Sequence, residues 1–430
     1  MSTARREQIR GLTRRIAAAL ADERVRRHHA DEPLATLEEE RTLARRVAME
    51  HLSVASPADP WGRPSVPSPD TRALVEEAIS GVLGLGRLEP LLEDEDITDI
   101  HVRGNCAVWL KMRDGRRESV PAIVDSDEEL VELIRRIATR MCVRETRFDP
   151  SNPEVNLQLP DGSRMFAAMD ISQRPTLVVR RHRFENATLR DLCVGGMMSP
   201  ETCDFLAACV RARRNIVIAG GTGSGKTTLL RALINEIHPT ERIVTIEDSY
   251  ELGIERMESA HPDHDCLQSR PPNAEGEGEV TLSQLTRMAL RMDPDRVIVG
   301  EVRGAEAFPM LMAMSQGNNG SMCTMHADTA RSVFPKLAAY MSMASTGVPV
   351  DTMNLLIASS VHFVVHVRND DGRRVVESIL EVVDAEGSSI VSNDLFSRST
   401  SVPAFASMRS GTAALLADHG FRARRELSWA

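Results

Sequence analysis

Apolar positions set the plan of the chain. Between residues 1 and 55 they recur at helical spacing, with Ile9, Leu12, Ile16 and Leu20 on one face and Leu37, Leu43 and Val47 on another. The positions between them are mostly Arg, Glu and Ala, so helices are expected here, either as a solvated arm or as an element that docks a partner. Five prolines within 56–70 read as a linker. From 71 to 185 the periods mix. Helical spacing covers 71–83 and 126–142, strand-like runs cover 99–102, 107–110 and 177–181, and Asp114-Gly115 and Asp161-Gly162 mark turns.

After a loop-like stretch at 186–199 the pattern changes. Short apolar runs at 215–219, 242–246, 296–299 and 322–325 alternate with helical patterns at 227–237, 282–292 and 305–314. Continuous apolar runs suit strands buried on both faces, and their alternation with helices predicts a parallel sheet covered by helices. Runs at 361–367 and 375–383 extend that sheet. Residues 262–280 are rich in Pro, Gly and Glu and predict a mobile loop, and 391–430 form a tail without a readable pattern. The expected organisation is α/β throughout: a helical extension with its linker (1–70), a smaller α/β domain (71–185), a linker (186–199), the larger α/β domain (200–390) and the tail.

The strongest chemical signal is Gly220-Gly221-Thr222-Gly223-Ser224-Gly225-Lys226-Thr227, a full G-x-x-x-x-G-K-[ST] phosphate loop lying between a predicted strand and helix. Glycines let successive N–H groups converge on phosphate oxygens, and the helix start adds partial positive charge. Lys226 is expected on the β and γ phosphates, Thr227 on Mg²⁺, and Thr228 completes the nucleotide-binding set. Arg296-Val-Ile-Val-Gly300-Glu301 ends a second strand in an acid, with Gly300 where an aspartate is usual. Glu301 is the candidate to polarise water and to meet Mg²⁺ through water. A third strand runs into Glu247 and Asp248, which are either water-orienting or solvated loop acids. A fourth ends at His326, either a γ-phosphate contact or a structural hydrogen-bonder.

Composition changes this picture little. Of 430 residues, 42% are hydrophobic and 27% charged, as in a soluble globular protein, and no apolar run is long enough to span a membrane. The seven cysteines are dispersed, which suggests reduced thiols in a cytosolic protein. A net charge of −10 argues against nucleic acid as the main partner. Lysine occurs only at Lys111, Lys226 and Lys336, so its use in the phosphate loop is informative. His261, His264 and Cys266 could supply three metal ligands, but no fourth lies nearby in sequence.

These four strand ends, in this order and spacing, resemble the Walker A, Asp box, Walker B and His box of the type II/type IV secretion ATPase superfamily. Leu290-Arg291-Met292-Asp293-Pro294-Asp295-Arg296 through Glu301-Val302-Arg303 is similar to that family's Walker B, which also lacks the aspartate. Residues 149–164 and 177–181 resemble the N-terminal domain of the Tad/Flp pilus branch. Gly317-Asn318 departs from relatives that carry histidine after the glycine. The resemblance implies a RecA-like C-terminal domain and a cytoplasmic hexamer at the inner face of the membrane. It further implies a membrane-embedded platform partner and, indirectly, pilin. Arg164, Arg180 or Arg181 would meet charge on the γ-phosphate, the alternative for each being a surface salt bridge, and Arg303 would act across subunits. A nucleic-acid motor and a nucleotide-gated scaffold without turnover are the competing readings.

Overall fold

A computed structural model describes residues 3–30, 32–55, 68–141, 147–159, 162–181, 187–273, 275–344, 347–370, 372–399 and 404–423. Most of the proline-rich segment, Cys142 and the predicted turn residue Asp161 lie outside them. The chain divides into two compact units, 1–182 and 183–430.

The first unit opens with helices α1 (Thr3–His29), α2 (Leu37–Ala55) and α3 (Pro69–Leu83). Ser68 caps α3 by accepting from the Thr71 amide, with Pro69 in the first turn where a missing N–H costs nothing. The stripe of Ile9, Leu12, Ile16 and Leu20 is buried against Ala44 and Ala48 of α2 and Leu74, Val75, Ala78 and Ile79 of α3. It is therefore core within its own unit. After α4 (Glu89–Glu93) come β1 (Ile97–Arg103), β2 (Val108–Met112), β3 (Arg117–Val120), α5 (Asp127–Met141), β4 (Glu154–Gln158), β5 (Arg164–Ala168) and β6 (Thr176–Arg180). The strands pair antiparallel in the order β3-β2-β1-β6-β5-β4. Burial along β4 alternates, as one covered face requires. That face packs Ile100, Val102, Val155, Leu177 and Val179 against Leu130, Ile134 and Ile137 of α5.

The second unit contains α6 (Leu189–Val194), α7 (Pro200–Arg211), β7 (Ile216–Gly220), α8 (Lys226–Ile234), β8 (Ile243–Glu247), β9 (His264–Gln268) and α9 (Leu282–Ala289). It continues with β10 (Arg296–Val302), α10 (Ala307–Ser315), β11 (Met322–His326), α11 (Val333–Met343) and α12 (Val350–Ser360). Strands β12 (Phe363–Asp370), β13 (Arg373–Glu386) and β14 (Ser389–Ser397) and helix α13 (Ser410–Asp418) complete it. Its eight-stranded sheet runs β14-β13-β12-β7-β11-β10-β8-β9, parallel from β12 to β9. Every residue of β7 and β8 is buried, because helices cover both faces. Two cores result. One joins α7 and α8 to the sheet, and the other joins α9 to α12.

Three expectations are corrected. Residues 186–199 are not simply a linker: α6 forms there because Thr188 and Asp191 make a reciprocal capping box and Leu189 is buried. Residues 262–280 are not a bare loop either. β9 adds to the free edge of β8, the amides of Glu275 and Glu277 donate to the Asn273 side chain, and Arg270 pairs with Val280. Nor are residues 391–430 merely a tail, since β14 extends the sheet and Phe405, Leu416 and Phe421 enter the core beside Phe205. Buried Glu381 on β13 fixes that segment by accepting from Arg409 Nε at 3.0 Å and from the Thr412 hydroxyl at 2.5 Å. The docking of the last segment was not legible from composition, because Phe205 lies about 200 residues away, whereas the capping box of α6 is a local signal.

Candidate functional site

The carboxyl ends of β7, β8, β10 and β11 open at one edge of the sheet, where ligands bind in open α/β folds. At the end of β7 the chain passes close to β12. A Cβ on Gly220 would come within 2.2 Å of the Val367 carbonyl oxygen, so only glycine fits. Gly223 and Gly225 then take φ of +72° and +95°, which turn the backbone into the first turn of α8. Gly221, Thr222 and Gly223 are exposed, Thr227 and Thr228 are half-buried, and Ser224 and Lys226 point inward. Lys226 Nζ donates to the carbonyls of Gly220 at 3.1 Å and Gly221 at 2.9 Å. Burial lowers its pKa, while the charges of Glu301 and Glu251 oppose the shift. The arrangement suits an ammonium reaching an anion in the loop's concavity.

Beside the loop, His326 joins two strand ends. Its Nδ1 lies 3.4 Å from Lys226 Nζ and its Nε2 lies 2.8 Å from Glu301 Oε1. Glu301 is aimed by a feature the sequence did not disclose. Val299 pairs with Cys323 and Val302 with Met325, so Gly300 and Glu301 together oppose the single residue Thr324. This is a β-bulge, which turns a side chain out of register beside a functional edge. The Thr324 hydroxyl pins it by donating to the Gly300 carbonyl at 2.6 Å.

Glu247 lies next to this bulge and is 2% exposed. Its Oε1 accepts from the amides of Glu251 and Leu252, each at 2.8 Å, whereas its Oε2 is buried with no hydrogen-bond partner. Burial pushes the carboxyl up to about 7 against those two amides. A Cβ on Gly300 would sit 3.2 Å from Glu247 Cγ. A side chain at Gly300 would therefore crowd Glu247. Asp248 faces away from this pocket, accepting from Ser269 Oγ at 2.6 Å and pairing with Arg303 at 3.0 Å.

The arginines belong to the first unit. Arg180 is exposed at the end of β6, 3.6 Å from Asp99, and is paired across the ladder with Arg164 of β5. Arg181 donates instead to the carbonyls of Asp94 and Ile97. His264 and Cys266 lie on β9, paired along β8. Among the described residues no group of three His, Cys, Asp or Glu side chains could hold a metal ion. The donors that fit Mg²⁺ are Thr227, Glu301 and the unpartnered Glu247 Oε2, a sparse set of the kind this cation uses when phosphates and water complete its shell.

A glycine-rich loop leading from a doubly buried strand into a helix, with an acid on a neighbouring strand, defines an α/β domain of the P-loop type. The family model described as Type II/IV secretion system protein matches residues 83–417, and the chain belongs to that family. It is 35% identical over 314 residues to a Mycobacterium tuberculosis protein named "Putative conjugal transfer protein", covering 71% of this chain and 86% of that one. It is 32% identical over 342 residues to the type IV secretion system protein PtlH of Bordetella pertussis, covering 72% and 96% respectively. The VirB11 ATPase of the Brucella suis type IV secretion system, solved with sulphate, is 28% identical with a TM-score of 0.37, covering 72% of this chain and 96% of that one. Among the described residues no helix is long and apolar enough to cross a membrane.

Proposed function

We propose that the chain is an ATP hydrolase that works as a hexameric motor at the inner face of the cell membrane, in the Tad/Flp pilus branch of its family. The observation that carries this reading is the convergence of Lys226, His326 and Glu301 within hydrogen-bonding reach beside the phosphate loop. The loop amides and Lys226 hold the phosphates, and Thr227 with Glu301 would hold Mg²⁺, which would offset phosphate charge. Glu301 accepts a proton as a water oxygen bonds to the γ-phosphorus, and the bond from that phosphorus to the β–γ bridging oxygen breaks. Glu247 assists by orienting the water, and His326 reports loss of the γ-phosphate to the end of β11. Within the first unit, Arg180 stands beside Arg164 across the ladder, whereas Arg181 holds the β1 end. Turnover would act on a membrane-embedded platform protein and, through it, on pilin.

The test is phosphate release with Mg-ATP, read beside mass in solution. Turnover in a species of about six subunits, lost in Lys226→Ala, is expected. Glu301→Gln should bind nucleotide and not hydrolyse it, and wild-type turnover in that variant would refute its role. The mycobacterial relative's name, which refers to conjugal transfer, favours a second reading as a DNA-dependent motor. ATPase activity stimulated by DNA would support that reading over the first.

A further inference from the structure

Of the 52 basic residues only three are lysines, and two of those three converge on one histidine. Lys226 lies 3.4 Å from the His326 ring. Lys336, on α11, donates from Nζ to the His326 backbone carbonyl at 3.0 Å. Between His326 and α11, Thr329 and Ser332 bind each other's amides through their hydroxyls at 3.1 Å, closing a tight turn. From the other side, buried His366 on β12 packs against the backbone of Ala327 and is paired in register with Ala219 on the phosphate-loop strand. The peptide that carries His326 is thus held at its carbonyl by α11 and at the following residue by β12.

We propose that Lys336 is a positioning residue for the reaction, which fixes the His326 peptide so that the imidazole meets both Lys226 and Glu301. This rests on the ATPase reading above. The carbonyl is the last on β11, beyond the final ladder pair of His326 with Gly220, where the chain leaves the sheet. A point-charge donor suits a single carbonyl oxygen and forms a charge-assisted bond. Losing it frees the strand end to shift, and displacements of about 1 Å near reacting groups cost up to about 100-fold in rate.

The experiment compares Lys336→Met with Lys336→Arg in the full chain, measuring phosphate release across ATP concentrations together with melting temperature. Lys336→Met should lower kcat by about tenfold while KM for ATP stays within about twofold. Its melting temperature should stay near that of the wild type, and Lys336→Arg, which keeps a charged donor, should recover most of the turnover. Turnover unchanged in Lys336→Met would overturn the proposal, as would both variants losing turnover and thermal stability together, which is the mark of a purely structural role. Should the wild type itself release no phosphate, it is the ATPase reading that fails. A crystal structure of Lys336→Met then decides the clamp: His326 displaced from Glu301 upholds it, and the contact kept at 2.8 Å overturns it.

Discussion

Glu247 offers the sharpest physical test, because its carboxyl is buried with one oxygen bonded twice and the other not at all. Burial raises it from an ordinary 4.5 to about 7. The folded protein therefore holds this proton more tightly than the unfolded chain does. Below about 4.5 the group is protonated in both states and has no effect on stability. Between 4.5 and about 7 the folded state binds more protons, so stability falls as pH rises, and above about 7 the full penalty is present. That penalty is about 3 kcal/mol at most, from about 1.36 kcal/mol for each tenfold change in proton affinity. Glu247→Gln keeps an oxygen for the two amides and removes the titration. Any fixed cost of its unpartnered amide is the same at every pH and cancels in the comparison. Melting temperatures of both proteins at pH 5 and pH 8 should show the variant gaining on the wild type by up to about 6–12 °C over that interval, at roughly 2–4 °C per kcal/mol. A difference between the two proteins that does not change with pH would refute the argument.

Other expectations follow from the same geometry. Gly300→Asp supplies the aspartate usual at that position, yet it should destabilise the protein by about 1–3 kcal/mol and depress turnover, because its Cβ meets Glu247 Cγ at 3.2 Å and its charge faces a second carboxyl. Thermal melting and phosphate release would show this, and an unaffected variant would mean that the bulge yields easily. Gly320→Ala should cost upwards of about 3 kcal/mol, read from the urea midpoint. Gly320 has φ of +91°, and a Cβ there would lie 2.1 Å from Nη1 of Arg296, which is fully buried and bonded to Glu241 at 2.8 Å. Arg409→Ala should destabilise by about 2–4 kcal/mol by leaving Glu381 buried without its charged partner, measured the same way.

The sequence disclosed those parts of the site whose signals are local. The phosphate loop carries its own conformational logic in its glycines, and the strands around it are apolar throughout because both faces are covered. What could not be read depends on neighbours distant along the chain. The bulge that aims Glu301 exists only in the pairing of β10 with β11, and the crowding at Gly300 comes from a side chain 53 positions earlier. The strand β9 is short and half-buried, and only the open edge of β8 makes it one. The helix α13 is Ser/Ala-rich and is held by Glu381, which nothing near it in sequence announces. For Arg180 and Arg181, pattern treated neighbours alike, whereas Arg180 ends β6 beside Asp99 and Arg181, the residue after the strand, reaches the Ile97 carbonyl.

The late segment of the second unit also bears on how the protein comes into being. Phe405, Leu416 and Phe421 complete the core that lies under α7 and α8, on the same sheet as the phosphate loop. Synthesis supplies that loop some 180 residues before Phe405, roughly 10–40 s earlier at 5–20 residues per second. During that interval Phe205 lacks the rings of Phe405 and Phe421 that it stacks on and abuts, and the apolar surface they cover stands open to water. Until residues near 421 have emerged this core stays incomplete, and the exposed surface is one that holding chaperones recognise.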